Sequence, residues 1–148
     1  MNSDPHTKTP KLGEIERPQD MPLSFAQQRL WFLDGFLRDK AIYNIPFAWR
    51  LKGSVKPQAV GDSLQKIVER HEALRTHFEL RGDEPVQIIR ETLDPILTTI
   101  RLEHLPEEEA EKEAVKQAEQ EAVTPFDLAT GPVIRAKLFC LSKEDYLL

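Results

Sequence analysis

Arg70-His71-Glu72-Ala73-Leu74-Arg75-Thr76-His77-Phe78 is where the sequence changes period. Upstream, Val60, Leu64, Ile67, Val68 and His71 fall on one stripe at helical spacing, which predicts a helix from Pro57 to Glu72. Downstream, Thr76 to Arg81 sets Phe78 and Leu80 on one face, the mark of a strand. Gly82-Asp83-Glu84 then turns the chain into a second strand, Val86 to Arg90. A helix feeding a hairpin is a unit of a mixed α/β fold. Two arginines, two histidines and a glutamate crowd the switch point. Burying so many ionisable groups is costly unless they pair. The junction is therefore either a solvated turn or a polar anchor holding other parts of the fold.

Working outward towards the N-terminus, Tyr43, Ile45, Phe47, Trp49 and Leu51 alternate with Asn44, Pro46, Ala48, Arg50 and Lys52, a period of two that predicts a strand ending at Gly53. Pro46 has no N–H to give a ladder, so that strand lies at an edge or breaks there. Ser24 and Gln27 form a capping box just after Pro22. The helix behind it carries Phe25, Ala26, Leu30, Leu33 and Leu37, widened by Trp31, Phe32 and Phe36. So broad an apolar face predicts a largely buried helix. Residues 1–22 hold Pro5, Pro10, Pro18 and Pro22 and few apolar side chains, and read as a flexible leader or linker.

Towards the C-terminus, Leu97 to Glu103 reads as a strand. A helix opens at Pro106 with Glu107-Glu108-Glu109, which suits the positive end of the helix dipole. Its stripe of Ala110, Ala114, Val115, Ala118, Ala122 and Val123 predicts thin, close packing of a surface helix. Glu108 and Lys112 make a favourable pair. Val133 to Leu141 is a strand, and Tyr146-Leu147-Leu148 begins another. The order helix, strand, helix, three strands, helix, strand, strand start predicts an α/β or α+β sandwich with a mixed sheet. An apolar strand start at the end of the chain is read as a fragment, or as an edge completed by another segment.

The bulk composition excludes several classes. Of 148 residues, 40% are apolar and 30% charged, with a net charge of −5 and no basic stripe for nucleic acid. No apolar run reaches the roughly 18 residues that cross a bilayer, and the N-terminus lacks a secretory core. A lone cysteine, Cys140, allows neither an internal disulfide nor a cysteine zinc site. A cytoplasmic protein fits best.

Few residues invite chemistry. Phosphate-loop and Gly-x-Ser-x-Gly spacings are missing, and His6, His71, His77 and His104 show no metal-site spacing. His71 lies on the apolar stripe and reads as a core histidine. His77 falls on the polar face of its strand, which points to solvent or a cleft. Cys140 alternates with Leu138 and Ala136 and reads as a buried apolar residue. Arg70 fits a helix C-terminus. Arg75, just before the strand, is placed to reach a carboxylate on another element.

Two stretches resemble the condensation domains of nonribosomal peptide synthetases. Leu23-Ser24-Phe25-Ala26-Gln27-Gln28-Arg29-Leu30-Trp31-Phe32-Leu33 is similar to the family's opening motif, Ser-x-Ala-Gln-x-Arg-Leu-Trp-x-Leu. Arg70 to Phe78 is similar to Arg-His-Glu-x-Leu-Arg-Thr-x-Phe. Ala41 to Pro46, Pro125-Phe126-Asp127-Leu128 and Gly131-Pro132 add support. The resemblance implies that residues 23–148 are the N-terminal lobe of a chloramphenicol-acetyltransferase-like fold, a mixed sheet packed by helices. It implies the family's chemistry: an acceptor aminoacyl thioester attacks a donor acyl or peptidyl thioester, each on the phosphopantetheine arm of a carrier domain, and no cofactor is bound directly. The implied partners are carrier domains, the other lobe and adjacent synthetase domains, with neither nucleic acid nor membrane.

The family's catalytic His-His-x-x-x-Asp-Gly is not in this sequence. The resemblance therefore implies a lobe truncated before that motif, inactive alone, with Arg70 and Arg75 bracing the missing aspartate and Arg75 making the direct pair. Ser24, Gln27, Arg29, Trp31, His71 and Glu72 are the remaining motif residues. Two other readings stand beside this one: a stand-alone module that binds a carrier or partner, and an acyltransferase or epimerisation domain of the same fold.

Overall fold

The computed structural model describes Pro18 and residues 20–148. Positions 1–17 and 19 of the expected leader lie outside the described residues, but its last two residues are ordered into the fold. Met21–Pro22 form β1 and pair antiparallel with Gln87 and Val86. Helix α1 (Phe25–Phe36) follows, then β2 (Arg50–Lys52), α2 (Pro57–Arg70), a 3₁₀ turn (Glu72–Arg75), β3 (Thr76–Arg81), β4 (Glu84–Ile89), β5 (Leu97–Arg101), α3 (Glu107–Ala122), β6 (Ala136–Ser142) and β7 (Asp145–Leu147).

The strands make two sheets. β3 and β4 form the expected hairpin, with Gly82 at φ 64° in its turn, where a side chain would be strained. With β1 they give a three-stranded antiparallel sheet in the order β1-β4-β3. The second sheet is mixed, in the order β2-β7-β6-β5, with β5 and β6 parallel and the other pairs antiparallel. The parallel pair requires a crossover, which α3 supplies.

Alternation along β6 builds the core on both faces of this sheet. Phe139 and Leu141 join Leu102, Ala110 and Ala114 under α3, while Leu138 and Cys140 join Tyr146 with Val60 of α2 and Leu97 packed against them. Ala110 and Ala114 are fully buried, because a methyl side chain lets α3 lie close on the sheet. Val115 and Val123 stay exposed, so the packed stripe is narrower than the sequence predicts. Cys140 is buried as expected.

Two expectations are corrected. Helix α1 has its capping box but no buried residue; Phe25 is 92% and Phe36 73% exposed. No described element packs on its outer face, so its apolar width finds no core. The strand expected over residues 43–52 forms only at Arg50–Lys52, with one further backbone pair between Trp49 and Leu148. Its apolar residues Ile45 and Phe47 stand 77% and 69% exposed, since no described strand lies beside them. Pro46 nevertheless belongs to an edge segment, as its missing donor requires.

Candidate functional site

The two long motifs meet on the three-stranded sheet. Ser24 accepts from the Gln27 backbone at 3.3 Å, and Gln27 Oε1 accepts from the Ser24 backbone at 2.8 Å. The same Gln27 side chain donates from Nε2 to Gln87 Oε1 on β4 at 3.0 Å, and Gln87 donates to the Pro22 carbonyl at 2.8 Å. β4 in turn ladders with β3, which begins where the second motif ends. Gln87 is therefore the residue that joins the motifs. Strand patterning alone could not single it out, because its partners lie far away in sequence. Arg29 is exposed and Trp31 half-buried on α1, and neither reaches the junction.

At the junction the structure exchanges the two histidines. α2 ends at Arg70, and His71 takes an extended cap conformation (φ −112°, ψ 97°) that leaves it exposed instead of in the core. His77, expected at solvent or a cleft, is only 7% exposed. The loop before β6 covers it: a Cβ placed on Gly131 would lie 3.4 Å from His77 Cβ. His77 Nε2 is 3.1 Å from Glu79 Oε1, and Nδ1 is buried without a hydrogen-bond partner.

The arginines also part. Arg70 is exposed on the last turn of α2, where its charge suits the helix C-terminus. Arg75 lies inward, donating from Nη1 to the Arg90 carbonyl, with Nη2 3.5 Å from Glu72 Oε1. Its Nε is buried without a hydrogen-bond partner. The junction is thus divided: Arg75 and His77 lie inward, while Arg70 and His71 are solvated.

A second set of contacts straps the two sheets together. The Phe78 backbone donates to the Leu128 carbonyl at 2.9 Å, so the loop 124–132 lies along the edge of β3. Asp127 folds this loop on itself, accepting from the Ala129 backbone and the Thr130 hydroxyl, both at 2.9 Å. These bonds, the Thr130 hydroxyl foremost, hold its carboxyl below the usual range. Arg90 donates to the Thr130 carbonyl at 2.7 Å. Arg135 donates to the carbonyls of Thr124 and Pro125 and lies 3.9 Å over the Phe126 ring. Asn44 donates to the carbonyls of Ala122 and Thr124, closing the end of α3. These contacts give Asn44 and Pro125 to Leu128 a structural role that needs no chemistry.

Between α1 and this loop runs an open groove of about 670 Å³ lined by Trp31, Phe32, Phe36, Pro125, Phe126 and Leu128. Asp34, Lys40 and Asp127 also line it, with Lys40 3.2 Å from Asp34. Among the described residues, no group of three or more His, Cys, Asp or Glu could hold a metal ion. None of their helices is long and apolar enough to cross a membrane.

A family model described as the condensation domain matches residues 18–148. The chain belongs to the condensation-domain family. Among condensation-domain relatives, it is 47% identical over 136 residues to a linear gramicidin synthase protein of Brevibacillus parabrevis, covering 92% of this chain and 2% of that protein. It is 41% identical over 135 residues to phosphinothricin tripeptide synthetase PhsC of Streptomyces viridochromogenes, covering 89% of this chain and 12% of that protein. Among solved structures it matches the complex of the X-domain and OxyB from teicoplanin biosynthesis, with TM-score 0.75 and 27% identity over 93% of this chain and 29% of that one. The starter condensation domain of rhizomide synthetase RzmA shares the fold, with TM-score 0.74 at 22% identity over 88% of this chain and 31% of that one. The mixed α/β architecture is accordingly the chloramphenicol-acetyltransferase-like lobe of a condensation domain. The chain spans about a third or less of each of these relatives.

Proposed function

We propose that this chain supplies one lobe of a condensation domain that joins a donor acyl or peptidyl thioester to an acceptor aminoacyl thioester, both tethered through phosphopantetheine arms to carrier domains. The acceptor amine attacks the thioester carbonyl; a C–N bond forms, the C–S bond breaks, the amine gives up a proton and the donor arm leaves as its thiol. The observation that carries this reading is the family match across residues 18–148, in relatives that are peptide synthetases. Adjacent synthetase domains are then its covalent neighbours and the carriers its working partners.

In this reading the described residues scaffold the chemistry rather than perform it. Arg75, inward and with Nε unpaired, is the brace for a carboxylate supplied by the rest of the domain; Arg70, at the surface, supports the helix end. Ser24, Gln27 and Glu72 hold the two motifs in place, Trp31 lines the groove beside α1, and Arg29 and His71 face outward for contacts beyond this lobe.

A condensation assay with loaded donor and acceptor carriers tests it. The complete domain is expected to yield the amide product and this chain alone none. Product from this chain alone would overturn the scaffold role. A complete, folded domain that forms no amide with any loaded pair would overturn the reaction.

A further inference from the structure

We propose that Arg90 is a positioning residue for Arg75: its peptide and its side chain together fix the direction in which the Arg75 guanidinium presents Nε. This rests on the reading of Arg75 as the brace for a carboxylate in the complete domain.

The ladder brings the two arginines together. β3 and β4 pair Thr76 with Ile89 at the open end of the hairpin, which makes Arg75 and Arg90 the next pair out. Phe78 turns its N–H away from its partner Gln87, to the Leu128 carbonyl, so that pair lacks ladder bonds. Bonded and non-bonded pairs alternate in an antiparallel ladder, and Arg75 with Arg90 falls on a bonded step. One of its two bonds is regular, the Arg90 N–H donating to the Arg75 carbonyl at 3.0 Å. The other acceptor, the Arg90 carbonyl, takes Nη1 of the Arg75 side chain. The backbone of Arg75 has left the ladder for the 3₁₀ turn Glu72–Arg75, and its side chain occupies the place.

This sets the guanidinium. Nη1 is held by the Arg90 carbonyl, Nη2 lies 3.5 Å from Glu72 Oε1, and Nε is buried without a hydrogen-bond partner. A guanidinium is a rigid planar fork, so holding its Nη arms fixes where the Nε–H points. The position of the Arg90 peptide therefore decides what Nε can meet.

That peptide lies one residue past the end of β4, where a strand end frays unless it is tied down. The Arg90 side chain ties it, Nη2 donating to the Thr130 carbonyl at 2.7 Å. Thr130 is a firm base. Its hydroxyl and the Ala129 N–H both donate to the Asp127 carboxylate at 2.9 Å, and the Gly131 N–H donates to the Asp127 carbonyl at 2.8 Å. The same turn is bonded to the hairpin through Leu128 and Phe78. Arg90 is thus held from both sides, by Arg75 through its peptide and by a closed turn through its side chain. Were it only a tie between loop and strand, its loss would loosen the loop and leave the Arg75 fork unmoved.

Two variants separate these roles. Arg90→Met keeps the apolar stem and removes every donor; Arg90→Lys keeps a donor for the single bond to Thr130. The Arg75 Nε–H is followed by NMR in this chain, and amide formation is followed in the complete domain with loaded carriers. In Arg90→Met the Arg75 Nε–H is expected to exchange with water about tenfold faster than in the parent chain, and in Arg90→Lys to stay within about threefold of it. In the complete domain Arg90→Met is expected to lower kcat about tenfold with KM for both carriers unchanged, and Arg90→Lys to recover most of the loss. An Nε–H that does not respond to Arg90→Met overturns the proposal, and so does one already lost to fast exchange in the parent chain. A raised KM at constant kcat also overturns it and makes Arg90 a carrier contact. A complete domain that forms no amide with any loaded pair, while the Nε–H responds as expected in this chain, keeps the positioning of Arg75 and removes the proposed function.

Discussion

Arg50 on β2 grips Asp145 on β7 with two parallel bonds, Nε to Oδ1 at 2.9 Å and Nη2 to Oδ2 at 2.6 Å. Lys52 reaches the same Oδ2 at 2.7 Å, and Arg50 also holds Glu111 of α3 at 2.8 Å. One carboxylate thereby ties the edge strand to its neighbour. The Arg50 bonds, with help from Lys52, draw the Asp145 carboxyl from 3.8 down to about 2 against the opposing effect of burial. A depressed carboxylate stabilises the fold above its unfolded value, so the contribution is complete above about pH 4 and disappears as pH falls through about 2. The arginine and lysine are solvent-facing, which limits the effect to about 0.5–1 kcal/mol. Asp145→Asn is expected to lower stability by that amount at pH 7 and to match the parent chain near pH 2. Urea melts at the two pH values check it.

Asn44 is expected to matter more than its position in an irregular segment implies. Its amide donates to two carbonyls at the end of α3, both at 2.9 Å. Asn44→Ala leaves those acceptors short of a partner and should cost about 1–2 kcal/mol. Asn44→Asp should cost more, because it sets a carboxylate against two carbonyl oxygens. Thermal melts of both variants, with the aspartate falling below the alanine, are the check; the reverse order would mean that the contact is only packing.

Arg135 carries four contacts with one side chain: two loop carbonyls, the Phe126 ring and, at 2.6 Å from Nε to Oε1, Glu121. The last is an ion pair without the alignment of a hydrogen bond, as Arg135 Nε and Glu121 Oε1 lack hydrogen-bond partners. Burial pushes the Glu121 carboxyl up, yet the Lys137 hydrogen bond and the Arg135 charge outweigh it and the net shift is downward. Arg135→Lys retains the charge but loses the planar fork and the ring contact. It is expected to recover less than half of the roughly 2–3 kcal/mol lost in Arg135→Ala. Denaturant midpoints of the two variants measure the fraction.

How much of this was legible in the sequence depends on the range of each contact. The hairpin, the capping box of Ser24 and Gln27 and the buried alternation about Cys140 follow from neighbours in the chain, and local period reveals them. His71 and His77 were misplaced for a tertiary reason. The helix stops at Arg70, one residue before the stripe does, and the loop at Gly131 comes from far along the chain to cover the strand face on which His77 lies. α1 and residues 43–49 failed differently. Their apolar patterns read as buried, and hydropathy cannot tell a face that has its partner from one that lacks it. Gln87 gave no signal, since the bond that matters joins it to Gln27 across the sheet.

Among the described residues, Gly131 is the one glycine that combines a positive φ with neighbours in contact distance of an added Cβ. Its φ is 57°, a conformation that costs an alanine about 1–2 kcal/mol. A Cβ there would also touch His77 Cβ at 3.4 Å, the near limit of van der Waals contact, and lie 4.0 Å from the Thr76 carbonyl oxygen. Gly82 shares the positive φ, at 64°, but a Cβ would meet nothing within 4 Å. The two substitutions therefore separate backbone strain from contact. Gly82→Ala is expected to lose only the strain. Gly131→Ala is expected to lose more, and to shift the His77 ring resonances in NMR while Gly82→Ala leaves them in place. Equal losses with an unmoved His77 would show that the loop does not press on the junction, and that His77 owes its burial to β3 and β4 alone.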